Sequence, residues 1–280
     1  MNNSTVNFTT LETSTNYTTQ SIASLKSLDI FLYSIGFLFG LPTHSYIIWL
    51  IVRGTGSGVS SEFFNLNLSV CEIANSLNGL ISVLSVHLSS LLTLSNFLQG
   101  VGITGRPLFQ CLICVERYLA VVHPVTFLKY KPLRYRVICC TAIWIITLGS
   151  CFVCLIILLN IMVAYPWFFS LQFLLYLSIQ LFCLVAVLRA LKQSGPGEKR
   201  RERKEENHMK RRAFYLILIT TGNLVIIYVP LIITGFFSIM MKQNILPLWI
   251  IGVVCYVLAG FVQPVLYLHR AGKLSCLCCS

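Results

Sequence analysis

Gln110–Pro124 reads QCLICVERYLAVVHP, and its reading decides the fold. An apolar run ends in the triplet Glu116-Arg117-Tyr118, and the chain leaves the helix through His123-Pro124. Proline fixes φ, lacks a backbone donor and disfavours helix at the residue before it, so the exit is marked. An acid beside an arginine at the edge of an apolar span is costly to place and therefore points to function. The plain alternative is an interfacial ion pair that merely stops a span. Apolar chain before the triplet and a basic loop after it set it at a membrane–water boundary.

The rest of the chain has the same character. Of its 280 residues, 56% are hydrophobic and 11% charged, whereas a soluble domain carries about 25% charged residues. Apolar runs of about 20 residues mark membrane helices rather than barrel strands, which alternate. Seven spans follow, over 28–52, 62–88, 91–122, 136–159, 167–191, 212–240 and 247–268, and predict an all-α seven-helix membrane bundle. The net charge of +12 alone would suit a nucleic-acid surface, but the bases gather in the connections between spans, as in cytoplasmic loops. Of the 21 Lys and Arg, Lys26 and Lys242 fall on one side and Arg106 in mid-span, and all the others fall on or near the opposite side. The N-terminus is therefore expected outside and the C-terminus in the cytoplasm, with the lipid bilayer and not nucleic acid as the surrounding partner.

Residues 1–27 form a Ser/Thr/Asn-rich tail with no basic segment leading into an apolar core, so no cleaved signal peptide is expected. Glycosylation sequons at Asn2, Asn3, Asn7 and Asn16 agree with an outside tail. Gln193–Arg212 is a low-complexity linker, where Gly195-Pro196-Gly197 breaks the helix and the charges favour solvent. Over 269–280, Arg270 and Lys273 alternate with apolar residues, fitting a short amphipathic helix on anionic lipid. Cys276, Cys278 and Cys279 there are candidate palmitoylation sites, or otherwise plain reduced thiols. None of the 12 cysteines falls in the tail or in an outer connection, so no disulfide framework is implied.

No catalytic constellation is present. The five histidines are scattered, and no HExxH, paired-Cys metal spacing, G-x-S-x-G or phosphate-binding glycine loop occurs. An enzyme is the least supported class, and no metal or cofactor is expected. No internal repeat is evident, which weighs against a transporter built from two related halves.

The third span carries a polar stripe, Gln99, Arg106, Gln110 and Arg117, at intervals of 7 and 11 residues that return to one helix face. A buried arginine must face the bundle rather than lipid. Glu72, in NLNLSVCE (65–72), is the expected partner of Arg106 in a direct ion pair. The alternative is that Arg106 pairs elsewhere or binds an anionic ligand from above.

With Glu116-Arg117-Tyr118 and His123-Pro124, four further features occur in order. They are Trp144 in the fourth span, Tyr228-Val229-Pro230 in the sixth, and Gln263-Pro264 and Tyr267 in the seventh. Over about 28–275 the chain thus resembles the rhodopsin-like (class A) G-protein-coupled receptors. The resemblance implies a plasma-membrane receptor for an unknown extracellular ligand, coupled to a heterotrimeric G protein. Glu116, Arg117 and Tyr118 would contact the G protein, while Pro230, Pro264 and Tyr267 would serve the movement of helices, and Glu116 would hold Arg117 locally. It also implies that Glu72 and Arg106 stand where the family binds sodium, with the guanidinium as a tethered cation, and that Gln263 belongs to the same intramembrane polar core. Depth and helix side suggest His87, Gln99, Ile103, Tyr228 and Tyr256 for the ligand pocket, with ordinary packing as the alternative for each. The ERY-to-HP stretch and the FLKYKPLRYR loop look most like the branch of nucleotide, protease-activated and hydroxycarboxylic acid receptors.

The departures are equally specific. His44 stands where the family has asparagine, Leu92 where it has the cysteine of an outer disulfide, Tyr176 for a proline and Leu184 for a tyrosine. The connection about Asn160–Pro166 is short and lacks cysteine, and the sixth helix begins Lys210-Arg211-Arg212 with no acid to lock Arg117. Two competing readings follow: a non-signalling decoy that keeps the fold, and a transporter or channel suggested by intramembrane Arg106 and Glu72.

Overall fold

The computed structural model describes residues 8–53, 62–130, 132–160, 164–192, 200–241 and 246–270. Among these residues there is no strand, and seven helical spans are long and apolar enough to cross a membrane: Ser27–Val52, Phe63–Ser85, Ser90–Val122, Leu133–Asn160, Ala164–Lys192, Lys210–Met241 and Pro247–His269. They belong to helices α1 (Phe8–Val52), α2 (Phe63–Ser85), α3 (Ser90–Gly100), α4 (Arg106–Val122), α6 (Leu133–Asn160), α7 (Ala164–Lys192), α8 (Arg200–Met241), α9 (Leu246–Gly260) and α10 (Val262–Arg270). A short α5 (Pro124–Tyr130) follows the His123 break. Side chains such as Phe39, Ile145, Leu171, Phe182 and Leu258 stay exposed on the outer faces. Such a surface suits lipid, and a helix leaves no backbone polar group unsatisfied there.

Two boundaries differ from the sequence expectation. Helix α1 starts at Phe8, well ahead of its apolar part, because a helix bonds its own backbone and continues out of the apolar layer irrespective of side-chain polarity. Helix α10 runs through Tyr267 to Arg270, so the seventh span passes the expected boundary at 268. The rest of the interfacial segment, with Cys276, Cys278 and Cys279, lies outside the described residues, as do Asn2, Asn3 and Asn7 and the side chain of Asn16.

The third span is central. Of its most apolar stretch 72% is buried, against 22–39% in the other six. Glycine allows the approach: a Cβ at Gly100 would lie 2.6 Å from the Cα and N of Cys151 on α6, and one at Gly102 would meet the Tyr256 hydroxyl and Asn75. Membrane helices pack by such small residues, since lipid supplies no hydrophobic drive between helices. Around this span lie an apolar cluster with α2 and α6 (Leu68, Phe109, Ile143), one with α7 and α8 (Phe169, Leu224, Tyr228), and one toward the end opposite the start of the first span (Cys114, Val187, Ile217). The end at which the first span starts is called the near end below, and its opposite the far end.

Helices α3 and α4 are one continuous span joined by a π turn, Val101–Gly105, in which the Arg106 N–H bonds the Val101 carbonyl five residues back. Pro107 explains part of it. It has no N–H, so the Ile103 carbonyl loses its helical donor. Tyr228 of α8 donates its hydroxyl hydrogen to that carbonyl instead. π turns of this kind recur at functional sites.

Candidate functional site

Two polar regions lie along the third span, one toward each end. The near-end region is a cavity of about 210 Å³ walled by α1 (Tyr33, Phe37), α2 (Asn75, Asn78), the third span (Gln99, Ile103), α7 (Tyr165, Phe169) and α9 (Trp249, Tyr256). Glu72, Arg106, His44 and Gly260 also line it, and of these Glu72, Arg106 and His44 are buried.

Arg106 is held from several directions. Its Nε donates to Glu72 Oε1 at 2.5 Å and its Nη2 to Glu72 Oε2 at 2.6 Å, a two-pronged pair. Its Nη1 donates to the Tyr256 carbonyl at 3.3 Å, and the guanidinium lies 4.5 Å from the centre of the Tyr256 ring. Tyr256 in turn donates its hydroxyl hydrogen to Asn75 Oδ1 at 2.5 Å. The array ties α2, the third span and α9 together. Both charged side chains are 4% exposed, so their charges survive burial only because each neutralises and hydrogen-bonds the other.

Of the side chains suggested for a ligand pocket, Gln99, Ile103 and Tyr256 line this cavity. His87 and Tyr228 lie outside its lining. Helix α2 ends at Ser85, and His87 sits exposed in the turn that follows. Tyr228 is buried deeper, its ring 4.5 Å from Phe169 and stacked at 5.5 Å on Phe173, with its hydroxyl spent on Ile103.

The far-end region holds the Glu116-Arg117-Tyr118 triplet. Glu116 Oε1 accepts a hydrogen bond from Arg136 Nη2 of α6 at 2.5 Å. Arg136 is buried and lies 5.5 Å from the Phe64 ring centre. The carboxylate of Glu116, which the sequence suggested would hold Arg117, also ties the third span to α6 through Arg136. Arg117 is half-buried. Tyr118 pairs its hydroxyl with His123 Nε2 at 3.0 Å and meets Phe182 edge-on at 5.6 Å.

Between the two regions, a second cavity of about 40 Å³ is lined by Asn65, Gln110, Asn223, Gln263 and Tyr267, among others. Gln110 Oε1, Asn223 Nδ2 and both amide atoms of Gln263 are buried there without a hydrogen-bond partner on the protein. Pro264, next to Gln263, is fully buried, and Pro230 sits inside α8. Buried amides left unmatched are a weak point in a packed bundle, and one of them, Gln263, directly precedes the proline of the seventh span.

Sequence reasoning missed Arg136, whose basic loop gave no sign that one of its arginines turns inward. It also missed Asn75 and the π turn, for which the clustering of Gly102, Gly105 and Pro107 was the available signal. Among the described residues no group of three or more His, Cys, Asp or Glu is arranged to hold a metal, and the described cysteines are free.

The sequence model of a family described as 7 transmembrane receptor (rhodopsin family) matches residues 44–267. Among curated proteins, chemokine XC receptor 1 of Homo sapiens is 28% identical over 188 residues, covering 61% of this chain and 56% of that receptor. C-C chemokine receptor type 8 of Homo sapiens is 23% identical over 253 residues, covering 79% of this chain and 66% of the relative. The uracil nucleotide/cysteinyl leukotriene receptor of Homo sapiens is 27% identical over 122 residues, 41% of this chain and 33% of the relative. The chain thus spans little more than half the length of the XC receptor it matches, at 56%.

Proposed function

The chain belongs to the rhodopsin family of seven-transmembrane receptors, and we propose that it works as a cell-surface receptor that passes the binding of an extracellular ligand to a heterotrimeric G protein. In this reading it lies in the plasma membrane with the N-terminus outside, because Arg53, Arg134, Arg136, Arg189 and Lys192 gather at the far end, as cytoplasmic bases do. The near-end cavity takes the ligand, and Glu116-Arg117-Tyr118 with the basic linker meets the G protein.

One observation carries this reading: a single buried span lines the cavity with Gln99 and Ile103 and ends in Glu116-Arg117-Tyr118. A ligand bound more tightly by one of two helix packings shifts the balance between them. The elements suited to two packings are adjacent. Pro230 permits a bend in α8, Tyr228 bonds α8 to the π turn, and the unmatched amides of Gln110, Asn223 and Gln263 leave the region below loosely held. Outward movement of α8 about Pro230 would expose Arg117, and Tyr267 would turn toward it.

Glu72 and Arg106 make this receptor unlike those it resembles. Where the family binds sodium, the Arg106 guanidinium satisfies the carboxylate from within the protein, so the resting packing is held by a tethered cation rather than a dissolved one.

Heterotrimer dissociation in cells expressing the chain or Arg117→Ala at matched surface levels tests the proposal. A basal signal that disappears with Arg117 supports it. A second reading, a receptor-like decoy, is favoured by the free state of the described cysteines, which leaves the outer face without the family's disulfide. Absence of any signal across the G-protein classes, from a chain that reaches the surface, would select the decoy.

A further inference from the structure

Among the described residues that line the near-end cavity, Glu72 is the only Asp or Glu and Arg106 the only Lys or Arg. Each is fully engaged by the other and by the bundle. Glu72 accepts from Arg106 through both carboxylate oxygens, at 2.5 and 2.6 Å, and the remaining side of the guanidinium donates to the Tyr256 carbonyl at 3.3 Å. A ligand carboxylate would have to take Arg106 from Glu72, and a ligand amine would have to take Glu72 from Arg106. Either exchange leaves one ion buried without its partner.

The remaining polar side chains of the lining are amides, hydroxyls, an indole and an imidazole, and most are also engaged within the protein. Asn75 accepts from Tyr256 at 2.5 Å, Asn78 donates to Gln99 at 3.4 Å, and Thr234 donates to the Pro230 carbonyl at 2.7 Å. The Trp249 side chain is bonded to Asp29, the Tyr165 side chain to Gln99, and His44 to the backbone of Gly260. The hydroxyls of Tyr33 and Ser238 belong to the lining and have no hydrogen-bond partner among the described residues. The rest of the wall is apolar, with Phe37, Ile103, Phe169, Leu231 and Val253.

A wall of this kind sorts ligands by charge. An ion that leaves water for the cavity meets no free counter-ion there, and burying an unpaired ion is far more costly than burying a hydroxyl that finds a hydrogen bond. An uncharged molecule meets apolar surface over most of its area and neutral groups at two points.

We propose that the ligand is a small, uncharged and largely apolar molecule, whose single hydroxyl or carbonyl is held by Ser238 or Tyr33. The volume of about 210 Å³ sets the scale, below the usual range of about 300–1,000 Å³ for ligand pockets. This rests on the cavity being the ligand site, and it runs against the acidic ligands of the receptor branch that the sequence resembles.

The test uses the purified full chain in lipid nanodiscs at pH 7 and three probes of one skeleton and different charge: 4-phenylbutanol, 4-phenylbutylamine and 4-phenylbutyrate. Two variants fill the cavity from different helices. Gly36→Leu acts from α1, where an added Cβ meets only Val257 at an ordinary 3.7 Å, and Ser238→Phe acts from half-buried Ser238 of α8. Binding is read as probe-dependent thermal stabilisation of the wild type in excess of that of the filled variants, which removes any effect of probe dissolved in the lipid. The alcohol is expected to bind at least about tenfold more tightly than the amine or the carboxylate. Combining Tyr33→Phe with Ser238→Ala, which leaves the cavity open, should weaken the alcohol by about fivefold.

A charged probe that binds as tightly as the alcohol, stabilisation by none of the three, or stabilisation by the alcohol that persists in either filled variant would overturn the proposal. An alcohol unaffected by loss of both hydroxyls would overturn the role given to Tyr33 and Ser238. Because no G protein is present, these results are separable from the receptor reading. A chain that signals without preferring the uncharged probe loses only the ligand class, and one that prefers it but never signals loses only the coupling.

Discussion

The hydroxyl of Tyr228 donates its hydrogen to the carbonyl of Ile103, replacing on one helix the backbone donor that Pro107 removes from another. The bond joins the π turn above Arg106 to the helix that carries Pro230, and it couples the two backbone irregularities nearest the centre of the bundle. Tyr228→Phe removes the hydroxyl and leaves a buried carbonyl unmatched, which costs about 1–3 kcal/mol. The variant should unfold at lower temperature and signal more in the absence of ligand, since α8 loses a tether to the third span. Thermal unfolding and basal heterotrimer dissociation, measured side by side, check both effects. An unchanged unfolding temperature would contradict this role of the bond.

Breaking the Glu72–Arg106 pair from either side leaves a charge buried alone. Glu72→Gln and Arg106→Met should each destabilise the chain by about 3–5 kcal/mol. The double variant should recover much of that loss, because no uncompensated charge remains. Surface expression and thermal unfolding of the three variants measure this, and additive losses would mean that the two residues act independently.

The same pair predicts indifference to sodium. Replacing choline chloride by sodium chloride at constant ionic strength should leave the unfolding temperature of the wild type unchanged. A saturable rise specific to sodium would show that the ion finds a carboxylate despite the guanidinium.

Glu116 and Arg136 join the far ends of the third span and α6 at 2.5 Å. A double-mutant cycle with Glu116→Gln and Arg136→Met should give a coupling of about 1–3 kcal/mol, within the usual range for contacting residues. Each single variant also alters the surroundings of Arg117, so basal signalling is expected to shift with both. Zero coupling would remove the pair from the account.

The fold was legible because membrane spans are written in composition: apolar length, bases confined to the connections, and prolines at helix exits such as His123-Pro124. The Glu72–Arg106 contact was legible for a related reason, since an intramembrane arginine has few places to turn and one acid lay at matching depth. What could not be read depends on tertiary geometry. Glu116 meets Arg136 because α6 brings that arginine to the third span. His87 misses the cavity because α2 ends at Ser85. Tyr228 lies too deep because its ring packs on Phe169 and Phe173.

The most direct measurement is nucleotide exchange on a purified heterotrimer, accelerated by the purified chain reconstituted in a bilayer, with no other cellular component present. Acceleration by the wild type, lost in Arg117→Ala while the unfolding temperature of the variant stays the same, is the predicted result. No acceleration of any G-protein class by folded wild type would contradict the claim that this bundle is a signalling receptor.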